Sequence, residues 1–599
     1  MICSVCLALA SLTVVSVTSA ASILTPDLDL GFAGIEDSVR FGPASAQIAA
    51  GPTHLVQAIN SQFRITDKTG APLATVDPRV LFNAFYAANP TYTENPPRSA
   101  PLNPTAVYDH FASRFIIVWG AVNDTGSESS ILIQVSLTSN PTQGWRLFTL
   151  RSDTYTNAQG TTDTDDLSDS LTLGFDNTNL YFSTNQLSPS GAFRYAKVRV
   201  AAKHQFNSPS PNPVQYYDLT NIRDANGLLA SSVKPCVTFG APNKEYMVSA
   251  PVSAGDNVTL YSVAGTWPNA TLSPPLLKME GKVAFNAWTA PLKMTQPAST
   301  LMLDGGDGRL LNAVYRNGVV YTGHSIRAGT LTCAAGIKSI NVATKTKVLD
   351  DVLGAIGESY SFPAVTADAA NNVYTVFNRS SKGVFAECRY GLKKSSETTF
   401  ETSKALKAGN AKSLQFGGAW GDYNGIAVDP AVNGGVWVSS MFAQNTAALN
   451  FTSGTWIGNF GRPGPIPVGP QVLAQYDDLA KTLTLTGDAG QNNVDVSYTA
   501  GVVTVTAGAA TQVNGRPTAT FQVSTGPILV KMDLGAGNDV VSFTGMNCST
   551  MNLKLGTQDD QITLRLTTAQ SLLLDGGTGT DLLTTISSRF TTKTIIGFP

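Results

Sequence analysis

Over most of the chain, apolar positions fall in short runs that alternate with polar ones and stop at Asp, Asn, Gly or Pro. Alternation with a period of two buries one face of a strand, and a polar break followed by a β-branched or aromatic run marks a hairpin. The pattern recurs seven times: SAQIAAGPTHLVQAIN at 45–60, TAVYDHFASRFIIVWG at 105–120, LTLGFDNTNLYFSTN at 171–185, VTFGAPNKEYMVSA at 237–250, LLNAVYRNGVVYTGH at 310–324, PAVTADAANNVYTVFNR at 363–379 and GIAVDPAVNGGVWVSSM at 425–441. A further alternating strand follows most copies, at 62–66, 131–137, 195–200, 258–263, 337–342 and 384–388.

A lone three- or four-stranded sheet cannot bury both faces, whereas a ring of such sheets packs face to face and leaves only short edges. The repeat therefore predicts an all-β protein with a seven-bladed β-propeller over residues 22–462. The first strand of each copy carries a small residue (Ala49, Ala106, Gly174, Gly240, Ala313, Ala364, Ala427), as crowding around a central channel requires. Closure of the seventh blade is expected from 456–460 pairing with a strand near 28–32. Two stacked sandwiches are the alternative arrangement of the same strands.

The stretch 461–470, GRPGPIPVGP, has a composition that sustains neither helix nor sheet, so 463–470 is read as a linker. Beyond it, over 471–599, there is no Glu, Trp or His, and all acidity comes from Asp. LGAGNDVVSF at 534–543, LGTQDDQITL at 555–564 and DGGTGTDLLTT at 575–585 place Asp539, Asp560 and Asp581 at equal 21-residue intervals. Equal spacing predicts a small parallel β-solenoid, β-roll-like, with one Asp-bearing turn per coil; 483–498 reads as a degenerate earlier coil.

The stretches IAAGPTHLVQAINSQFRITDKTGAPL, TAVYDHFASRFIIVWGAV, DSLTLGFDNTNLYFSTNQ and WGDYNGIAVDPAVNGGVWVSS resemble blades of secreted bacterial proteins with a sialidase-like seven-bladed propeller. The segment 576–584 is similar to the GGxGxDxUx repeat of RTX, or haemolysin-type, calcium-binding proteins, and 535–541 fits most of it. That resemblance implies calcium held between coils, with Asp539, Asp560 and Asp581 as ligands. The middle turn departs from it, with Leu555 and Gln558 where Gly is expected, and a metal-free turn stabilised by Gly and by Asp-to-backbone hydrogen bonds fits the residues equally.

Residues 1–21, MICSVCLALASLTVVSVTSAA, read as a secretory signal peptide with small residues at its end, although the leading segment lacks Lys and Arg. The expected location is therefore secreted or cell-surface. No other stretch approaches ~20 continuous apolar residues, so no transmembrane span is expected. The remaining cysteines, Cys236, Cys333, Cys388 and Cys548, are scattered and read as buried thiols with no disulfide framework.

Composition adds mainly exclusions. Charged residues are 14% of the chain and the net charge is −2, which supplies no basic field for nucleic acid. HExxH, GxSxG and GxxxxGK[ST] are absent, as is the Asp-box SxDxGxTW, and the four histidines are scattered, so no catalytic residue is assigned. The loop TDTDDLSDS at 162–170 is either a solvated loop or a cation site whose DxDxDG spacing is broken by Leu167.

Alignment of the repeats places Asp169, Lys234, Arg309, Phe362, Trp420, Asp422 and Tyr423 just before inner strands, where propeller loops rim one mouth of the channel. Mixed acidic, basic and aromatic groups there suit an extracellular carbohydrate or protein ligand. The same residue types also serve as turn caps and inter-blade packing. The function expected is an exported binding or scaffold protein; the alternative is a glycoside hydrolase or lyase using channel-mouth carboxylates.

Overall fold

A computed structural model describes residues 25–36, 43–89, 101–122, 128–157, 159–207, 213–269, 271, 273–432, 434–444, 453–461, 471–477, 480–488, 490–508, 511–513, 518–523 and 526–598. The expected signal peptide and the 463–470 linker lie outside the described residues. No helix among the described residues is long and apolar enough to cross a membrane.

Seven four-stranded antiparallel blades form the first part. Their inner strands are Gln47–Ala50, Leu102–Asp109, Leu167–Phe175, Lys234–Pro235, Asn312–Arg316, Ser359–Ala367 and Gly425–Val428. In the seventh blade Leu30–Ala33 pairs with Ser453–Phe460, joining the start of the ring to its end as the sequence pattern implied. One detail differs from expectation in the fourth blade. Its inner strand is Lys234–Pro235, while Val237–Thr238 leaves the blade to pair in parallel with Phe175 on one side and Val314–Tyr315 on the other.

Three of the hairpin turns share a chemical cause. Asp176, Asp368 and Asp429 each accept backbone N–H groups of the turn with one carboxylate oxygen, at 2.7–2.9 Å. With the other oxygen each takes a hydrogen bond from an aromatic residue on the outgoing strand: Tyr181 Oη at 2.8 Å, Tyr374 Oη at 2.9 Å and Trp437 Nε1 at 2.7 Å. A turn Asp thereby fixes both the tight reversal and the rotamer of a large ring that packs in its blade. Close approach at the centre explains the small residues there: a Cβ on Gly425 would lie 2.5 Å from the backbone nitrogen of Ile48 in the neighbouring blade.

Between the second and third blades a charged pair is fully enclosed. Arg199 donates through Nε and Nη2 to Asp218 at 2.8 and 2.9 Å, and its guanidinium lies 3.6 Å from the centre of the Tyr216 ring. Asp218 also accepts from the Thr156 N–H, tying down the hairpin formed by Thr154–Asn157 and Gly160–Asp163. Three of the four aspartates in the loop at 162–170 are paired with arginines: Asp163 with Arg151, and Asp165 and Asp166 with Arg194.

From Gln471 the chain forms a solenoid of two facing sheets. Thr482–Thr486, Ile528–Asp533, Asn547–Thr557, Thr568–Thr578 and Arg589–Ile596 stack in parallel in one; Asn493–Thr499, Val540–Thr544, Gln561–Arg565 and Leu582–Ile586 stack in the other. Val494, Val530, Val541, Leu553, Ile562 and Leu574 fill the space between them. The segment 483–498 is the first coil, separated from the next by the inserted strands Val502–Ala507 and Thr518–Gln522. Cys236, Cys333, Cys388 and Cys548 are all buried free thiols.

Candidate functional site

The mouth of the propeller is shaped by a repeated backbone irregularity. Register shifts occur between Leu102 and Thr105, between Asp169 and Thr172, and between Ser361 and Ala364. Each shift holds a non-glycine residue in the left-handed region: Asn103 at φ 51°, Ser170 at 56° and Phe362 at 52°. A bulge of this kind bends the strand end and re-aims the side chains at the rim.

These ends, with the loop 304–309 before the fifth blade and 422–423 before the seventh, enclose a cavity of about 300 Å³. Its walls carry four carboxylates, Asp169, Asp304, Asp307 and Asp422, together with Arg309, Asn103, Ser170, Phe362 and Tyr423. Five of the seven residues singled out from the sequence, Asp169, Arg309, Phe362, Asp422 and Tyr423, thus meet in one cavity. Lys234 and Trp420 lie beneath it. Lys234 is buried, donates to Thr172 Oγ1 at 2.7 Å and sits 5.7 Å from the Tyr423 ring centre. Trp420 is fully enclosed in a cluster with Met294, Leu303, Phe362 and Met441.

A chain of polar contacts crosses the rim. Asp307 binds Arg309 Nε through both oxygens, at 2.8 and 2.9 Å, and Arg309 Nη1 donates to Ser170 Oγ at 2.6 Å. Ser170 Oγ donates to Asp169 Oδ2 at 3.2 Å, and Asn103 Nδ2 reaches Asp169 Oδ1 at 3.5 Å. Burial works against the Arg309 charge, but Asp307 more than offsets it and holds the guanidinium above its ordinary range. The loop is anchored by Asp304 N–H on Gly418 O at 2.8 Å and by His324 Nδ1 against Gly308 O at 2.9 Å. Burial pushes His324 down to about 3, so it is neutral and donates that hydrogen bond.

Asp422 differs from the other three acids. Its Oδ1 is cut off from solvent and has no hydrogen-bond partner among the described residues, while its backbone carbonyl accepts from Ser45 Oγ. Burial, followed by the negative charge of Asp304, pushes its pKa up to about 7. Lys234 is driven the opposite way, down to about 7, by burial and then by the nearby Arg309. At neutral pH the mouth therefore carries a carboxyl group, Asp422, and the layer beneath it an amine, Lys234, each poised between charged and neutral forms.

Sequence reasoning missed Asp304, Asp307, Asn103 and Ser170. The run DGGDGR at 304–309 carried a signal, an Asp pair directly before Arg309 at the rim position of the aligned repeat.

In the solenoid, Asp539, Asp560 and Asp581 point inward and are buried. They form a ladder: Asn492 N–H donates to Asp539 Oδ1 at 2.7 Å, Asp539 N–H to Asp560 Oδ1 at 2.8 Å, and Asp560 N–H to Asp581 Oδ1 at 2.9 Å. Each Oδ2 is buried without a hydrogen-bond partner among the described residues. Burial pushes Asp539 up to about 7 and Asp560 up to about 6. Calcium takes six to eight oxygen ligands, and one free carboxylate oxygen per coil is a sparse donor set. Among the described residues no group of three acids, histidines or cysteines is arranged to hold a metal.

No family model matches the chain, and no curated protein matches it. Similar solved structures include a protein of unknown function from Dyadobacter fermentans, at 11% identity over 73% of this chain and 99% of that one, with a TM-score of 0.36. An ulvan polysaccharide lyase matches at 11% identity over 58% and 79%, TM-score 0.33. A neuraminidase-like protein of A/little yellow-shouldered bat/Guatemala matches at 9% over 59% and 96%, TM-score 0.30. Likeness at this level carries no argument about chemistry, which rests on the geometry of the site itself.

Proposed function

We propose that this is an exported binding protein whose propeller mouth recognises an extracellular carbohydrate. The observation that supports this reading is the convergence on one cavity of about 300 Å³ of Asp169 from the third blade, Asp304, Asp307 and Arg309 from the loop before the fifth, and Asp422 from the turn before the seventh. Sugar hydroxyls donate to carboxylates and accept from guanidinium, and small polar cavities with a few convergent groups select by hydrogen bonding. The solenoid serves as a stalk or surface-association element.

Asp422 favours a second reading, that of a glycoside hydrolase. A buried acid whose pKa is raised to about 7, with further carboxylates on the same cavity wall, is an arrangement in which one group can donate a proton while another acts as base or nucleophile. A glycan array run beside a polysaccharide hydrolysis screen separates the two. Saturable binding without turnover supports the binding protein. Turnover that is abolished in Asp422→Asn, while binding persists, establishes the hydrolase. Silence in both screens rejects the carbohydrate reading.

A further inference from the structure

Beneath the polar mouth the propeller axis is hollow. A cavity of about 110 Å³ runs between the inner strands of all seven blades. Its wall includes Ile48, Ala106, Leu173, Val314, Ala364 and Ile426. Three polar side chains on the same wall are committed to neighbouring backbone. Gln47 Nε2 donates to the carbonyls of Tyr423 and Asn424 at 3.3 and 3.2 Å. Asn312 donates to Val365 O at 2.7 Å and accepts from Val365 N–H at 3.1 Å, and Asn424 donates to Phe362 O at 2.7 Å. These amides staple adjacent blades, and apart from Thr105, Thr172 and Thr366 the wall between them is largely aliphatic and aromatic.

Mouth and shaft share three wall residues, Leu311, Phe362 and Tyr423, so the two spaces adjoin. At the other end the shaft shares Tyr108, His110 and Pro430 with a third cavity, whose far wall is formed by Thr518, Ala519, Thr520 and Phe521 of the solenoid. A strand thus faces the base of the axis, while the upper end meets the candidate ligand site.

We infer that the axial shaft is a binding subsite for a small apolar group, the aryl or short alkyl substituent of a ligand whose polar part occupies the mouth. A void of this size between packed walls forfeits contacts on every side, and apolar cavities of comparable volume, about 150 Å³, stay dry and take up benzene. Ala50, Ala106, Ala313, Ala364 and Ala427 all line the shaft, and these small side chains leave its lumen open. The identity of the polar part rests on the carbohydrate reading above; the shaft itself does not.

Benzene tests the shaft alone, because it needs no contact with the mouth. Calorimetric titration of the full chain with benzene is expected to give a one-site isotherm. Filling the lumen in Ala106→Leu, and separately in Ala364→Leu, should weaken it at least about tenfold, a loss of 1.4 kcal/mol or more. Circular dichroism and melting temperature establish that each variant is folded, and either variant suffices. Absence of saturable benzene binding by the wild type overturns the inference, as does equal binding by a folded, filled variant. Benzene binding alongside a silent glycan array upholds the shaft and rejects only the carbohydrate reading.

Discussion

Replacement of Asp539 by Asn isolates the energetics of the solenoid ladder. The carboxyl accepts the Asn492 N–H through Oδ1, and its Oδ2 is buried without a partner among the described residues. Asn keeps the acceptor and cannot ionise. With the folded pKa near 7 against 3.8 unfolded, the native state binds more protons than the unfolded chain between those values, so stability falls as pH rises through the window. The full shift corresponds to about 4 kcal/mol at 1.36 kcal/mol per unit. Solvent relaxation near the coil turn halves this to about 2 kcal/mol. Below pH 4 both side chains carry one buried, unsatisfied polar group at the Oδ2 position, so wild type and Asp539→Asn should be within ~0.5 kcal/mol of each other. By pH 8 the variant should be the more stable by about 2 kcal/mol. Hydrogen exchange of peptides spanning 540–565, wild type against variant at each pH in chelator, reads this difference locally. A difference that does not change with pH, or a variant less stable at pH 8, would show that Asp539 is ionised and compensated, and the ladder argument would fail.

Three further outcomes are expected. Full-chain melts in ~10 mM calcium and in chelator should agree, since the ladder leaves only one free oxygen per coil; a calcium-dependent rise that disappears in Asp539→Asn would instead assign calcium to these turns. Asp218→Ala strands the enclosed Arg199 guanidinium and should cost about 3–5 kcal/mol in urea denaturation, whereas a cost under ~1 kcal/mol would mean that water reaches the arginine. Gly577→Ala demands φ +86° of an alanine and sets its Cβ on the carbonyl oxygen of Gly556, so proteolysis of the solenoid should accelerate; Gly191→Ala, at φ +82° in open space, should cost only about 1 kcal/mol, and equal behaviour of the two would refute the packing argument.

Much of the fold was legible because the turn aspartates and the strands beside them repeat in register. DNTNLY, DAANNVY and DPAVNGGVW each carry the Asp and, a few residues on, the aromatic that hydrogen-bonds it. The solenoid was legible because one coil takes 21 residues, the separation seen in the ladder hydrogen bonds. The fourth blade was not, because Val237–Thr238 is too short for alternation to reveal that it crosses out of its blade. At the mouth, position in the repeat identified the strand ends but not the direction of each side chain. Bulges at Asn103, Ser170 and Phe362 redirect the rim, and a one-residue shift exchanges inward for outward. Lys234 and Trp420, which lie on no such bulge, are buried under the cavity that their neighbours line.

In the proposed function the mouth cavity is the ligand site. Its most direct test is calorimetric titration of the glycan selected by the array against wild type, Asp169→Asn and Arg309→Met, with Lys404→Met, remote on the outer strand of the sixth blade, as control. Loss of one charged hydrogen-bonding partner should weaken binding by about tenfold or more in both mouth variants and leave the control unchanged. Unaltered affinity in folded Asp169→Asn and Arg309→Met would place recognition elsewhere on the molecule and contradict the account.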